Sequence, residues 1–399
     1  MRLPDTLHIP EQVLDIARQL EAAGFEAWCV GGAIRDALLG NPESDYDIAT
    51  SATPEQVQKV FRRTIPVGIE FGTVGVLDEN KQVHEVTTFR RDVSTDGRRA
   101  VVAYGVTLEE DLSRRDFTIN AIAYHPLRHE WRDPFNGVAD LEGKVVRAVG
   151  EAQARFREDY LRILRGLRFA ARFDFAIDQG TWESAVATAD GLTGLSAERV
   201  RDEWFKGLET AQSLHRLVQL WRDSGAATRM LPELIGPPDA ETIWALRAPR
   251  GEVPRDPVLL TVLLCRRPAE VLERLRCSNS IIRRAAGIDH GPRQPEGADA
   301  VSVRHWLSAV GPVAGDNAEL ARLRDGKAPP WWTVAEEVLQ RGDPLTRKDL
   351  KIGGEDLLAA GVPAGPRLGE VLARLLRLVL DDPSKNTREA LLALAKEMT

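Results

Sequence analysis

Two adjacent glycines between an apolar stretch and an amphipathic one constrain this chain more than any other feature. In Val30-Gly31-Gly32-Ala33-Ile34-Arg35-Asp36, the preceding FEAWCV (25–30) reads as a buried strand, and AIRDALLG (33–40) as a short helix closed by Gly40. Glycines at such a junction tolerate positive φ and let the backbone approach a phosphate at the helix N-terminus. Ser44-Asp45-Tyr46-Asp47-Ile48 follows shortly after. Asp45 and Asp47 are two apart on an expected strand, so their carboxylates share one face. Asp-Tyr-Asp alone is a common solvated turn. Strand, Gly-Gly, helix and Asp-x-Asp in succession demand a mixed α/β unit with a polar site at one end of its sheet.

Beyond that junction, residues 11–23 read as a helix, and another begins after the turn at 51–54, where Thr53 can cap and Pro54 can fill the first turn. GTVGVL (72–77) and QVHEVTTF (82–89) are β-rich and separated by turn residues. The α/β pattern ends near residue 150. EDYLRILRGLRFAARF (158–173) then reads as one strong helix, and helical patterns recur at 197–209, 212–222, 257–276 and 302–309. ARLLRLVL (373–380) is the clearest amphipathic stretch of the last unit, 343–399. The expected fold class is therefore α+β: a mixed-sheet head followed by an all-α remainder.

Bulk properties exclude more than they assign. At 399 residues, 43% hydrophobic and 28% charged, the chain is a multi-unit globular protein. No stretch approaches the length of a membrane helix, and the N-terminus has no apolar core of the signal-peptide kind. Cys29, Cys265 and Cys277 are far apart, which argues against a disulfide framework or a zinc site and fits a reducing cytoplasm. The net charge of −7 argues mildly against an acidic partner, but Arg155, Arg157, Arg162, Arg165, Arg168 and Arg172 are locally dense.

Three clusters carry the chemistry. Asp45 and Asp47, joined by substrate phosphates, can hold divalent ions at the spacing an in-line phosphoryl displacement needs, and Arg35 can add a contact to a triphosphate. Glu85, in Val83-His84-Glu85-Val86, is either a third carboxylate from a neighbouring strand or an outward residue on a half-exposed one. In Arg114-Arg115-Asp116-Phe117-Thr118-Ile119-Asn120, arginines can bind triphosphate oxygens while Asp116 and Asn120 orient them or meet a ribose hydroxyl; an N-capping Asp116 with solvated arginines is the plain alternative. In Glu158-Asp159-Tyr160-Leu161-Arg162, continuing to Arg165 and Arg168, a helical reading puts Asp159 and Arg162 on one face. Such an acceptor–donor pair accepts cytosine and adenine, which present an amine beside a ring nitrogen, and rejects uracil and guanine. A surface salt bridge is the competing reading.

Taken together, GGAIRD, the DYD carboxylates, IPVGIEFGTVGV (65–76), EVTTFR (85–90), LEEDLSRRDFTINA (108–121), DPFNGVADL (133–141), REDYLRILRGLRFAARF and LKIGGEDLLAAGVPAGPRLGEVLARLL (350–376) resemble the bacterial-type (class II) tRNA nucleotidyltransferases of the polymerase β superfamily, which include CCA-adding enzymes. The resemblance implies a polymerase β-like head (1–150), a neck that recognises the nucleotide base (151–212), and a body (213–330) and tail (331–399) that bind tRNA. It implies magnesium on Asp45 and Asp47, and nucleotide contacts from Gly31, Gly32, Arg35, Arg115, Asp116, Asn120, Asp159, Arg162, Arg165 and Arg168. It implies template-independent addition of C and A to the tRNA 3′ end from CTP and ATP. Two departures stand out. Phe71-Gly72-Thr73 occupies the place of the family's frequent His-Gly-Thr, and 91–105 is slightly short and lacks the usual proline after Arg99. The latter region helps the family switch from C to A addition, so a specialised CC-adding or A-adding enzyme stays open. Beyond it stand a poly(A) polymerase, which usually carries a different segment in place of PVGIEFGTVGV, and a silent RNA-binding protein.

Overall fold

The computed structural model describes residues 3–41, 45–95, 100–236 and 239–398. The chain divides into two compact units, 1–232 and 233–399.

The first unit opens with α1 (Glu11–Ala22), which buries Val13, Ile16, Ala17 and Leu20 on one face. β1 (Ala27–Val30) is buried throughout and runs through Gly31 into α2 (Gly32–Leu38). β2 (Asp47–Thr50) follows, then α3 (Pro54–Val60). There the Thr53 hydroxyl accepts from the Gln56 amide while the Gln56 side chain accepts from the Thr53 amide, and Pro54 fills the first turn. β3 (Thr64–Gly68), β4 (Thr73–Leu77) and β5 (Val83–Thr88) build a meander, and β6 (Arg90–Thr95) with β7 (Ala100–Tyr104) forms a separate two-stranded ribbon. After α4 (Leu108–Ser113), β8 (Ala123–His125) and β9 (Glu130–Arg132) complete a seven-stranded sheet of order β3-β4-β5-β2-β1-β8-β9. Its pairings are antiparallel except β2 with β5. Trp28, Val30, Ala49, Phe89, Leu112 and Ala123 pack into a core beneath it. The short stretch at 91–105 falls on the β6–β7 ribbon; residues 96–99, with Arg99, lie outside the described residues, as does Ser44.

The remainder of this unit is helical apart from a two-residue strand, Ala176–Ile177, which pairs in parallel with Val145–Val146. α5 (Gly137–Glu142) precedes α6 (Ala152–Glu158), α7 (Leu161–Phe173), α8 (Gln179–Thr188) and α9 (Ala197–Thr210). Gly166 brings α7 flush against the buried ring of Phe117: a Cβ there would sit 2.9 Å from the ring. The stretch 158–173 is not one helix. It breaks at Asp159, whose backbone is extended (φ −153°), and restarts after Tyr160, the Asp159 carboxylate accepting from the Leu161 amide at 3.0 Å. An aspartate that caps the new first turn competes with continuation of the old helix.

The second unit is all helical among the described residues. The 257–276 pattern is likewise two helices, Pro257–Leu264 and Pro268–Arg274, because Arg267 adopts a left-handed conformation (φ 50°) ahead of a proline that starts the second. Helix Pro366–Asp381 contributes Val371, Leu375 and Val379 to a core shared with Leu357, Leu391 and Ala395. No helix of the described residues is long and apolar enough to cross a membrane.

Candidate active site

The sheet and α7 bound a cleft of about 660 Å³ in the first unit, and every site residue expected from the sequence lines it except Asp45. Nine arginines face four carboxylates there, so the cleft is cationic although the chain is acidic. That sign suits a polyanion such as a triphosphate.

At one end the carboxylates stand on the sheet. Asp45, just before β2, and Asp47, its first residue, flank buried Tyr46, and the Asp45 charge acts on the Asp47 carboxyl. β2 and β5 pair in parallel with Ile48 opposite Val86, which brings Asp47 beside Glu85 on the adjacent strand. Burial, then the nearby Glu85 charge, pushes the Asp47 carboxyl up to about 6, with Arg115 opposing and Asp45 adding to the rise.

The two glycines make room for arginine side chains. Gly31 adopts φ +77°, and a Cβ there would lie 2.8 Å from the Arg115 guanidinium and 3.9 Å from Asp47 Oδ2. Beside Gly32 the Arg35 guanidinium stands at 3.5 Å from the corresponding position. The room left by the two missing side chains is taken by two guanidinium groups. Arg115 reaches this place from its bond to Asp111 (Nη2 to Oδ2, 3.5 Å), a carboxylate 1% exposed that also accepts from Arg114 and from the Arg90 amide. Arg35 is itself buried, donates to Asp36 at 2.8 Å and to Asn120, and lies over the rings of Phe169 and Phe173 at 5.0 and 4.8 Å.

Asp116 is no solvated cap. It is buried, receives Arg165 Nε at 2.7 Å, Asn120 Nδ2 at 2.9 Å and the Phe117 amide at 2.8 Å, and those charges and bonds outweigh its burial to hold its carboxyl down at about 2. The arginines of α7 are held in the same manner: Arg168 donates to Glu203 at 2.6 Å and Arg172 to Asp36 at 3.1 Å. Arg162 donates to Glu158 at 2.7 Å and to the Arg114 and Arg155 carbonyls.

Asp159 and Arg162 both line the cleft, but the chain break separates their roles. Asp159 pairs with Arg199 of α9 at 2.7 Å, not with Arg162, so the helical one-face reading is corrected. A carboxylate offers about four acceptor positions, and Asp159 uses one on the Leu161 amide and one on Arg199. Arg199, Arg90, Thr73 and Thr87 line the cleft without having been singled out from the sequence. No local pattern marks Arg199, since its partner lies 40 residues away.

Among the described residues, no three His, Cys, Asp or Glu side chains form a ready-made metal cage. Magnesium seldom uses one: it takes one or two carboxylates and fills its shell with water and substrate phosphate. Asp45 and Asp47, with Glu85 adjoining, are oxygen donors of that kind.

The chain matches the sequence model of the poly A polymerase head domain over residues 27–147, the RNA- and SrmB-binding site of polymerase A over 174–235, and tRNA nucleotidyltransferase domain 2 over 336–395. It is 36% identical to the CCA-adding enzyme of Latilactobacillus sakei over 416 aligned positions, covering 98% of this chain and 99% of that one. The Streptococcus thermophilus CCA-adding enzyme is 49% identical over 210 residues, half of each chain (50% and 52%). A crystal structure of the Bacillus stearothermophilus CCA-adding enzyme in complex with CTP superposes with a TM-score of 0.82 at 33% identity, covering 97% of both chains. With sequence matched nearly end to end and the fold superposed over the same span, the chain belongs to the family of CCA-adding enzymes.

Proposed function

We propose that this protein adds C and A to the 3′ end of tRNA, drawing on CTP and ATP and releasing pyrophosphate. The observation that carries the reading is the cleft itself: carboxylates on the sheet at one end, an Asp159–Arg199 pair and Arg162 among its lining residues, and arginines throughout. The CTP complex of the Bacillus stearothermophilus relative supports the same use of the cleft.

In the reaction the RNA 3′ oxygen forms a bond to the α-phosphorus, and the bond from that phosphorus to the bridging oxygen of pyrophosphate breaks. Asp45 and Asp47 would hold magnesium, which lowers the pKa of the attacking hydroxyl and neutralises charge on the departing pyrophosphate. Glu85 keeps the carboxylate end strongly negative. Arg115 and Arg35 meet the phosphates beside Gly31 and Gly32, and Asp116 with Asn120 fixes the direction in which Arg165 and Arg35 point. Asp159 offers its remaining acceptor positions to the exocyclic amine of cytosine or adenine, while Arg162 uses an unengaged N–H toward the ring nitrogen. Reading the base by protein groups removes any need for a template. Within this reading 1–150 is the catalytic head, 151–212 the neck, and 213–330 and 331–399 the body and tail that hold tRNA in the cytoplasm.

The test is incorporation of labelled CTP and ATP into three tRNA transcripts, one ending at the discriminator base, one in C-C and one complete, with magnesium or with excess chelator. C addition to the first and A addition to the second, both lost with chelator and in Asp47→Ala, is the expected result. Activity on one transcript alone would restrict the enzyme to CC or A addition. Long A tails on any RNA, or incorporation indifferent to chelator, would overturn the proposal.

A further inference from the structure

Eight large hydrophobic side chains are exposed among the described residues, and four of them, Val67, Phe71, Val83 and Tyr104, fall between β3 and β7. They lie next to the carboxylates. Ile65 pairs with Gly75, and Gly75 with Glu85, which stands beside Asp47. Directly paired residues project to one face of a sheet, so this row and the carboxylates look out on the same side. Over Gly75 three aliphatic side chains close: a Cβ there would meet Val67 at 2.7 Å, Ile65 at 2.8 Å and Val83 at 2.9 Å. Phe71 extends the surface, since a Cβ on Gly68 would lie 3.9 Å from both its ring and Thr73 Cβ, and Thr73 lines the cleft. Tyr104 lies against Gly72, where a Cβ would meet its ring at 2.9 Å, and its strand partner Arg90 also lines the cleft. The result is an apolar shelf continuous with the carboxylate end of the cleft.

We propose that this shelf seats the unpaired 3′-terminal nucleotides of the acceptor RNA, with Phe71 and Tyr104 as its stacking surfaces. The inference rests on the nucleotidyl-transfer reading of the cleft. The triphosphate is drawn to Arg35 of α2, to Arg115 just beyond the end of α4 and to the arginines of α7, so the attacking strand has to reach Asp47 and Glu85 from another side. The shelf adjoins them on their own face of the sheet. Unpaired bases bind by stacking on aromatic and apolar side chains, which is what this surface offers, and Arg90 beside Tyr104 supplies a cation for the backbone of such a strand. β3 is the edge of the sheet, so pairing with a second copy of the chain is the rival use of the surface.

The experiment compares unaltered protein with Phe71→Ala, Tyr104→Ala and the conservative Phe71→Tyr, measuring KM for RNA and for CTP on a transcript ending at the discriminator base. Loss of one base–aromatic stack corresponds to roughly 5- to 150-fold in affinity. The alanine variants should raise the RNA KM at least about 5-fold on that basis and leave the CTP KM within about twofold, and Phe71→Tyr should restore it. An unchanged RNA KM, or equal rises in both constants, would overturn the shelf. So would a dimer in the unaltered protein that Phe71→Ala dissolves, which would assign the surface to a second copy. RNA ending in 4-thiouridine should crosslink to residues 65–71, 83 or 104 of the unaltered protein. Crosslinks confined to other segments refute the shelf while leaving nucleotidyl transfer standing. Failure of the unaltered protein to incorporate any nucleotide removes the transfer reading, and the shelf's role in it.

Discussion

Replacing Asp116 by Asn removes one negative charge from a buried site and leaves its shape nearly unchanged. The magnitude can be worked from the carboxyl itself. Its pKa falls from the ordinary 3.8 to about 2, chiefly because Arg165, Asn120 and the Phe117 amide favour the charged form against the cost of burial. At 1.36 kcal/mol per pKa unit, that difference contributes about 2 kcal/mol of stability near neutrality. Because the folded value is depressed, the contribution is fully present above the unfolded value and is lost as pH falls towards the folded one. Roughly half should remain at pH 3 by the same linkage. Urea unfolding of both proteins at pH 7, 5, 4 and 3 would measure it. The variant should be weaker by about 2 to 4 kcal/mol at pH 7 and 5, the upper figure including the cost of leaving Arg165 without its partner. The gap should narrow at pH 4 and again at pH 3. A gap of the same size at every pH would show that packing, not charge, makes the difference. No gap at pH 7 would refute the coupling altogether.

Gly31→Ala combines a positive φ with a 2.8 Å approach to the Arg115 guanidinium; it should cost more than tenfold in kcat/KM for CTP, with the far-ultraviolet circular dichroism unchanged, and near-normal turnover would contradict the packing described here. Arg199→Ala frees an Asp159 oxygen and should weaken discrimination of C and A against U, read as the ratio of kcat/KM values in single-nucleotide incorporation; an unaltered ratio would show that the pair has no part in reading the base. Gly166→Ala, which in an open helix would stabilise by up to about 1 kcal/mol, should instead destabilise by about 1–3 kcal/mol in urea, because the added methyl meets Phe117 at 2.9 Å.

Local features were legible in the sequence and partnerships were not. The Gly-Gly junction and the Thr53–Pro54 cap involve neighbours along the chain, and each forms where the spacing put it, whereas the expected strand begins only at Asp47 and leaves Asp45 just before it. The break at Asp159 was missed because the apolar period runs through it, and only the choice of the aspartate to cap Leu161 instead of facing Arg162 reveals it. Two of the carboxylates that hold the arginines were invisible for another reason. Glu203 lies 35 residues from Arg168 and Asp36 lies 136 from Arg172, distances at which no pattern of spacing survives. The same holds for the tenants of the glycine gaps: sequence says that room is needed at Gly31 and Gly32, but only the fold shows guanidinium groups occupying it.

The tethering of α7's arginines by carboxylates from elsewhere in the unit bears on when ordering takes place. A long cationic side chain loses close to 2 kcal/mol of rotamer freedom when it is fixed. Here Arg162, Arg165, Arg168 and Arg172 are already fixed by Glu158, Asp116, Glu203 and Asp36. That loss belongs to folding and does not recur at each catalytic cycle. A nucleotide therefore meets a surface that has little left to organise, and its affinity depends on the fit of phosphate and base to directions set beforehand.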